Sequence, residues 1–177
     1  MTIIRLLFIF TVFFGCKPSD ARQPVQQNSG RFFDASIQRN KELNEKEYTV
    51  IKKLVDASEN SYKVSNYGFW YQYVQKNEQD TYTPKFGDQV LYNYTVKNLN
   101  GNWIYTSEET TEKTYFVAQE ELFAGLREGL KLMKQNETIK FIFPSQLAYG
   151  YYGDYNKIGS NTPLIYEVTV NKILQNQ

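Results

Sequence analysis

Apolar side chains recur at roughly helical spacing over residues 40–58, among charged and polar residues that favour helices. The recurring positions are Leu43, Tyr48, Ile51, Leu54 and Val55. This period predicts one amphipathic helix. A single helix of this length is too small to be a domain, so we expect it to pack on the segment that follows or on a partner.

From Tyr62 onward the helical period gives way to alternation and to aromatic-rich stretches, which are typical of β-strands. Strands are predicted over residues 69–74, 89–97, 103–106, 114–117, 137–143 and 164–173. One short helix over residues 120–133 interrupts them, and it carries on one face Leu122, Leu126, Leu130 and Met133. The pattern predicts an α+β fold with five or six antiparallel strands and one short helix inserted between them.

The first residues are typical of a secretion signal. Arg5 precedes the apolar run of residues 6–14, which is too short to span a bilayer, since that needs about 20 apolar residues. A small residue and then Cys16 end this run, and this arrangement resembles the lipobox of bacterial lipoproteins, with Phe13 where that motif usually has Leu. The resemblance implies cleavage before Cys16, acylation of that cysteine and a stable lipid anchor. The alternative is that Cys16 is an ordinary buried or unpaired cysteine.

The order of these segments predicts the organisation of the chain. A polar stretch rich in Pro, Ser, Gln and Asn follows the cysteine and is typical of a tether. The predicted segments are a signal peptide (1–15), the lipidated Cys16 with a flexible tether (16–39), a helix and strand extension (40–80) and a folded domain (81–177). The protein is therefore expected in a bacterial cell envelope, anchored by lipid and facing the periplasm.

Composition narrows the chemistry. The 177 residues include no histidine and one cysteine, which excludes Ser-His-Asp catalysis, Cys-His catalysis and His-ligated metal sites. The net charge is +1, so nothing indicates a nucleic-acid partner. Aromatic residues make up 16% of the chain, with 15 Tyr and 2 Trp. The available chemistry consists of apolar walls, hydroxyls, amides and carboxylates, and no metal or cofactor is expected.

Four short motifs occur in a fixed order from residue 90 onward. They are VLYNYT (90–95), LFAGLREGL (122–130), LAYG (147–150) and NTPLIYEV (161–168). In this order and spacing they resemble the FKBP-type peptidyl-prolyl cis-trans isomerases, over roughly half of the chain. With the helix and the lipobox, the whole chain is most similar to the lipoprotein isomerases associated with gliding motility in bacteria. The resemblance implies an antiparallel, five- to six-stranded sheet half-wrapped around a short helix.

The same resemblance implies a proline-binding pocket between sheet and helix. Its catalytic residues would be Tyr94, Phe123 and Tyr149, with the Tyr149 hydroxyl and the Phe123 N–H directed at a substrate carbonyl. Its substrate-binding residues would be Ile104, Tyr105, Tyr115, Leu122, Leu126, Ile158 and Tyr166, with Leu126 as the floor. Proline-containing polypeptides would be the clients, and macrolide-type inhibitors would bind in the same place. Read from the pattern alone, several of these residues could simply be core.

A pocket of this kind suits the reaction. Rotation about an X–Pro amide has a barrier of about 20 kcal/mol because resonance must be broken. The twisted amide is less charge-separated than the planar one, so an apolar site favours it relative to water, and a positioned donor can hold the rotated carbonyl. Tyrosine offers a large apolar face with one hydrogen-bonding tip. No nucleophile or metal is needed.

Two positions depart from the family pattern. Tyr105 stands where the family usually has an Asp, and Leu126 stands where the floor is often Trp. Tyr105 cannot supply a negative charge, and Leu126 offers less stacking area to a proline ring. A second hypothesis therefore stays open, in which the pocket grips proline segments without catalysis, as a chaperone or an assembly module. The tyrosines that follow Tyr149 could serve as a substrate surface or as exposed padding; they are Tyr151, Tyr152 and Tyr155.

Overall fold

The computed structural model describes residues 29–59 and 61–176. The predicted signal peptide and the lipidation of Cys16 lie outside these residues. The helices are α1 (Ser29–Asp56) and α2 (Ala124–Leu130), and a 3₁₀ turn spans Ser145–Leu147. The strands are β1 (Lys63–Val64), β2 (Trp70–Gln75), β3 (Gln89–Asn98), β4 (Trp103–Tyr105), β5 (Lys113–Phe116), β6 (Thr138–Phe143) and β7 (Leu164–Leu174).

Within the described residues the strands form one antiparallel sheet of seven strands, in the order β1-β2-β6-β7-β3-β4, with β5 also paired to β3. The sequence predicts five or six strands. The strand that it misses is β1, whose two residues are too few to show alternation. Strand β2 lies within the predicted extension at 40–80, yet it pairs with β6, with Trp70 opposite Ile142. The folded sheet thus extends beyond the predicted domain boundary at residue 81.

Helix α2 packs on one face of the sheet through two glycines. A Cβ at Gly125 would lie 2.5 Å from the Phe143 ring, and one at Gly129 would lie 3.0 Å from the Phe141 ring. The absence of these side chains lets the helix approach the sheet closely. The helix is shorter than the predicted 120–133, because Phe123 is still extended (φ −61°, ψ 147°) and the chain after Leu130 continues in turns.

Helix α1 packs on the opposite face. Its Ile51 is fully buried against Trp70 and Ile142, and the Tyr48 ring lies 5.1 Å from the Trp70 ring. Ile142 alternates along β6 with Phe141 and Phe143, which belong to the core on the α2 side, so the two helices cover different faces. The sequence left open whether this helix packs on its own domain or on a partner, and in the structure it packs on its own domain.

The start of α1 differs from the prediction. The helix begins at Ser29, so residues 29–39, which the sequence assigned to the tether, are helical. The apolar period that defined the predicted helix covers only its later turns, since those are the turns that face the sheet. None of the described helices is both long and apolar enough to cross a lipid bilayer.

Candidate active site

Every residue predicted for the proline-binding pocket belongs to one hydrophobic cluster between the sheet and α2. The strands supply Tyr94 (β3), Ile104 and Tyr105 (β4), Tyr115 (β5) and Tyr166 (β7). The segment leading into α2 and the helix itself supply Leu122, Phe123 and Leu126, and the loop after the 3₁₀ turn supplies Tyr149 and Ile158. Residues from both ends of the domain are thus brought together by sheet pairing.

Four aromatic side chains of this cluster are in mutual contact; they are Tyr94, Phe123, Tyr149 and Tyr166. The Tyr94 and Tyr166 rings stack at 5.5 Å with an interplanar angle of 15°. The Phe123 ring lies edge-on to Tyr166 at 5.3 Å and tilted to Tyr149 at 5.0 Å. The hydroxyls of Tyr149 and Tyr166 lie 3.3 Å apart. These contacts bring the hydroxyls of Tyr149 and Tyr166 together within a group of packed aromatic rings.

Exposure divides the predicted residues into two sets. Tyr115, Leu126, Ile158 and Tyr166 are nearly fully covered, at 2%, 2%, 3% and 1% exposure. The half-buried residues are Tyr94, Ile104, Tyr105, Leu122, Phe123 and Tyr149. We call this second set the half-buried wall. It is the part of the cluster that remains accessible, and the first set lies beneath it. Tyr115 also has a structural partner, because its hydroxyl accepts the N–H of Ala118 at 3.2 Å.

Burial raises the pKa of the tyrosines in this group. The pKa of Tyr149 is raised by burial, although its hydrogen bond with Tyr166 works in the opposite direction. Burial also raises the pKa of Tyr94 and that of Tyr166. An ordinary tyrosine has a pKa of about 10, so these hydroxyls stay protonated at neutral pH and can donate hydrogen bonds.

The turn that carries Tyr149 is tightly hydrogen-bonded. The Ser145 carbonyl accepts the N–H groups of Ala148 at 3.0 Å and Gly150 at 2.9 Å, on either side of Tyr149. The Gly150 carbonyl in turn accepts the N–H of Asn161 at 2.8 Å. The backbone around Tyr149 is thereby tied to both ends of the long loop.

Sequence reasoning missed the role of Asp154 at the site. Its carboxylate accepts the Tyr105 hydroxyl, the N–H of Ile158 at 2.8 Å and that of Asn156 at 2.9 Å. Burial alone would raise the pKa of Asp154, but these hydrogen bonds outweigh it and lower the pKa. A negative charge is therefore present beside Tyr105, supplied by the loop instead of by the strand. The signal in the sequence is an Asp two residues before an Asn within a Gly-rich loop, which is typical of an Asx turn.

A second contact ties the same loop to the segment after β4. Lys157 forms an ion pair with Glu109, and its ammonium lies 5.2 Å from the centre of the Tyr105 ring. Together with the Tyr105–Asp154 hydrogen bond, this contact connects the two loops that border the half-buried wall. Glu109, which follows β4, thus has its partner on the loop that carries Asp154.

Comparison with known proteins gives the class. The family model described as FKBP-type peptidyl-prolyl cis-trans isomerase matches residues 80–171. The chain belongs to this family, and the family prediction is confirmed. The curated relatives carry the name of the predicted enzyme class as well. The narrower likeness to the gliding-motility lipoproteins stays a prediction.

Three curated relatives show how similar the sequences are and how much of each chain the similarity covers. The chain is 32% identical over 108 residues to a probable FKBP-type isomerase of Haemophilus influenzae and 32% identical over 112 residues to FkpA of Escherichia coli. These matches cover 61% and 63% of this chain, but only 44% and 40% of the relatives. FK506-binding protein 2 of Dictyostelium discoideum is 30% identical over 92 residues, which cover 51% of this chain and 69% of that protein.

Solved structures confirm the predicted fold class. A crystal structure of a peptidyl-prolyl isomerase from Pseudomonas syringae matches with a TM-score of 0.62 at 18% identity, covering 76% of this chain and 96% of that one. The crystal structure of Escherichia coli FkpA matches with a TM-score of 0.62 at 23% identity, covering 98% of this chain and 80% of that one. At these identities the likeness concerns the fold alone.

Proposed function

We propose that this protein is a peptidyl-prolyl cis-trans isomerase that acts at the half-buried aromatic wall. The observation that carries the proposal is the Tyr149 hydroxyl, held beside Phe123 and Tyr166 in an apolar setting. A proline ring is expected to lie against Phe123, Tyr94 and Leu122. The covered residues Leu126 and Tyr166 support that surface.

The proposed chemistry is differential stabilisation of the twisted amide. Exclusion of water disfavours the charge-separated planar amide relative to the twisted one. The Tyr149 hydroxyl and the Phe123 N–H donate to the rotated substrate carbonyl. Because the Tyr149 hydroxyl stays protonated, this donor is present throughout the neutral pH range.

The test measures cis-trans exchange of short Leu-Pro and Phe-Pro peptides by NMR, with the full chain purified in mild detergent. We expect clear acceleration, which falls roughly tenfold or more in Tyr149→Phe because one donor to the rotated carbonyl is lost. Phe123→Ala should lose activity as well, since it removes part of the wall. The control is Tyr67→Phe, at an exposed tyrosine that is not part of the cluster, which should behave like the parent. A well-folded parent without acceleration would refute the isomerase proposal.

We further propose the location and the clients. The lipobox-like sequence at Cys16 supports a lipid anchor in the cell envelope, with exported or envelope proteins as clients and a place in a gliding-motility apparatus. Metabolic labelling with a fatty acid tests the anchor: the parent should be labelled and Cys16→Ser should not. A macrolide of the FK506 type is expected to compete with proline peptides for the wall.

One observation favours a second candidate function, the binding of proline segments without useful catalysis. Tyr151, Tyr152 and Tyr155 are 73%, 72% and 87% exposed on the loop between Tyr149 and Ile158. Exposed tyrosines offer large, rigid contact area to an unfolded chain. If this function holds, the protein should suppress aggregation of an unfolded client, the triple change of these tyrosines to Ser should remove that effect, and peptide isomerisation should be slow throughout.

A further inference from the structure

The N-terminal helix delivers a buried carboxylate to the turn that precedes Tyr149. Glu47, on α1, is 7% exposed. One of its carboxylate oxygens accepts the Ser145 N–H at 2.8 Å, and the other accepts the Ser145 hydroxyl at 2.6 Å. Both bonds are buried, and they join residues 98 positions apart in the chain.

Ser145 passes this constraint to the site. Its N–H and hydroxyl face Glu47, while its carbonyl accepts the N–H groups of Ala148 and Gly150. Those two amides flank Tyr149. A continuous series of hydrogen bonds therefore runs from the Glu47 carboxylate through Ser145 to the N–H groups of the residues on either side of the tyrosine.

We infer that Glu47 is a positioning residue for Tyr149, and that α1 is part of the catalytic unit although it lies outside the part of the chain that the family model matches. The inference rests on the proposed isomerase function. Catalytic groups must be held within a fraction of an ångström, because a misplacement of about 1 Å can cost about a hundredfold in rate.

Attachment of the helix does not by itself require this carboxylate. Helix α1 is already held to the sheet by the apolar contacts of Ile51 with Trp70 and Ile142. A buried carboxylate is costly to desolvate and needs compensating hydrogen bonds. Here those bonds go to the one residue whose carbonyl holds the Tyr149 turn, which indicates a role in fixing that turn.

The experiment compares Glu47→Ala and Glu47→Gln with a matched control, Glu45→Ala, on the full chain in detergent. Glu45 lies on the same helix with an exposed side chain. In Glu47→Gln the amide oxygen can accept the Ser145 N–H while the amide nitrogen donates to the hydroxyl oxygen, so the link is conserved. Measured quantities are kcat and KM for a Phe-Pro peptide and amide hydrogen exchange at Ala148 and Gly150.

We expect Glu47→Ala to lower kcat about tenfold, because the donor hydroxyl is less well held, while KM changes less than about twofold, since the apolar wall is intact. Exchange at Ala148 and Gly150 should become faster. Glu47→Gln should restore both quantities, and Glu45→Ala should match the parent. A merely structural role would lower stability without this split between kcat and KM.

Two results would overturn the inference. An active parent whose kcat is unchanged in Glu47→Ala would show that the carboxylate does not position the tyrosine. Unchanged exchange at Ala148 and Gly150 would show the same, even in a protein with no isomerase activity. An inactive parent with faster exchange in Glu47→Ala would refute the proposed function but leave Glu47 as the residue that holds this turn.

Discussion

At the level of single residues, the hydrogen bond between Tyr105 and Asp154 joins β4 to the loop that carries Ile158. Asp154 also caps that loop internally through the N–H groups of Asn156 and Ile158. The family usually places an acid on the strand, at the position of Tyr105. Here the strand carries the Tyr105 hydroxyl, and the carboxylate comes from Asp154 on the loop.

This arrangement predicts graded effects of two substitutions. Tyr105→Phe removes only the link between strand and loop, so we expect a fall of a few-fold in the rate of peptide isomerisation. Asp154→Ala removes the link and both side-chain bonds within the loop, and we expect a fall of about tenfold or more, because the Ile158 N–H loses the acceptor that fixes its position. The peptide NMR assay measures the rates, and amide exchange at Ile158 measures the order of the loop. Equal rates in Asp154→Ala and the parent would contradict the role assigned to this carboxylate.

The pH dependence of this pair has a definite sign. The pKa of Asp154 is lower in the folded protein than its ordinary value. Its contribution to stability is therefore fully present above the unfolded pKa of about 4 and is lost as the pH falls through the folded pKa. The stability difference between the parent and Asp154→Ala should stay constant near neutral pH and shrink in acid. Urea unfolding over that pH range measures it.

The sequence predicts a functional residue when that residue lies in a local motif, and misses it when its role depends on a contact with a residue far along the chain. Six of the predicted site residues fall within the four short motifs, so motif order predicts them as a set; they are Tyr94, Leu122, Phe123, Leu126, Tyr149 and Tyr166. Asp154 and Glu47 act through contacts that cross 49 and 98 positions, and neither lies in such a motif. Their roles follow from the loop path and the helix placement, which tertiary packing decides.

At the level of elements, close packing of α2 on the sheet predicts a cost for any side chain at Gly125. An added Cβ would lie 2.5 Å from a Phe143 ring carbon and 2.8 Å from the Leu147 carbonyl oxygen. Alanine is the better helix former by about 1 kcal/mol, but the clash is with a buried ring and a backbone atom, neither of which can yield easily. We expect Gly125→Ala to lower the free energy of unfolding by about 1–3 kcal/mol.

Urea unfolding checks this expectation, with Gly159→Ala as the control. A Cβ at Gly159 would lie 3.6 Å from its nearest neighbour, the Thr162 hydroxyl, at an ordinary contact distance. The control should stay within about 0.5 kcal/mol of the parent. Two variants of equal stability would mean that the helix can move away from the sheet without cost.

Element boundaries show where local pattern reaches its limit. The alternation that predicts β3 and β7 gives their positions closely, because one face of each strand is buried along most of its length. The leucine spacing predicts a longer α2 than exists, since the apolar residues before it, Leu122 and Phe123, pack in the site and precede the helix. Helical spacing alone cannot distinguish these two uses of an apolar residue.

At the scale of the whole molecule, the folded domain is larger than the segment that carries the family likeness. The family model begins at residue 80, yet β2 lies before it and covers the edge of β6. Phe69, just before β2, is fully buried, with its ring 5.8 Å from the Phe141 ring and 5.3 Å from the Phe143 ring. The domain boundary predicted at residue 81 was placed from the motifs. The packed structure begins earlier in the chain, because β2 pairs with β6 in the same sheet.

A truncation experiment tests this difference. A chain of residues 80–177 lacks β2, which leaves β6 as an unpaired apolar edge strand and opens the core where Phe69 was. Exposed edges of this kind promote aggregation, so we expect this segment to aggregate or to unfold without a cooperative transition.

A chain of residues 37–177, which forms one compact unit, should fold and keep the peptide isomerase activity of the full chain. Circular dichroism melting and size-exclusion chromatography distinguish the two. Cooperative melting and full activity of the 80–177 segment would mean that β2 and α1 are additions to an already complete domain, and would also contradict the role of Glu47.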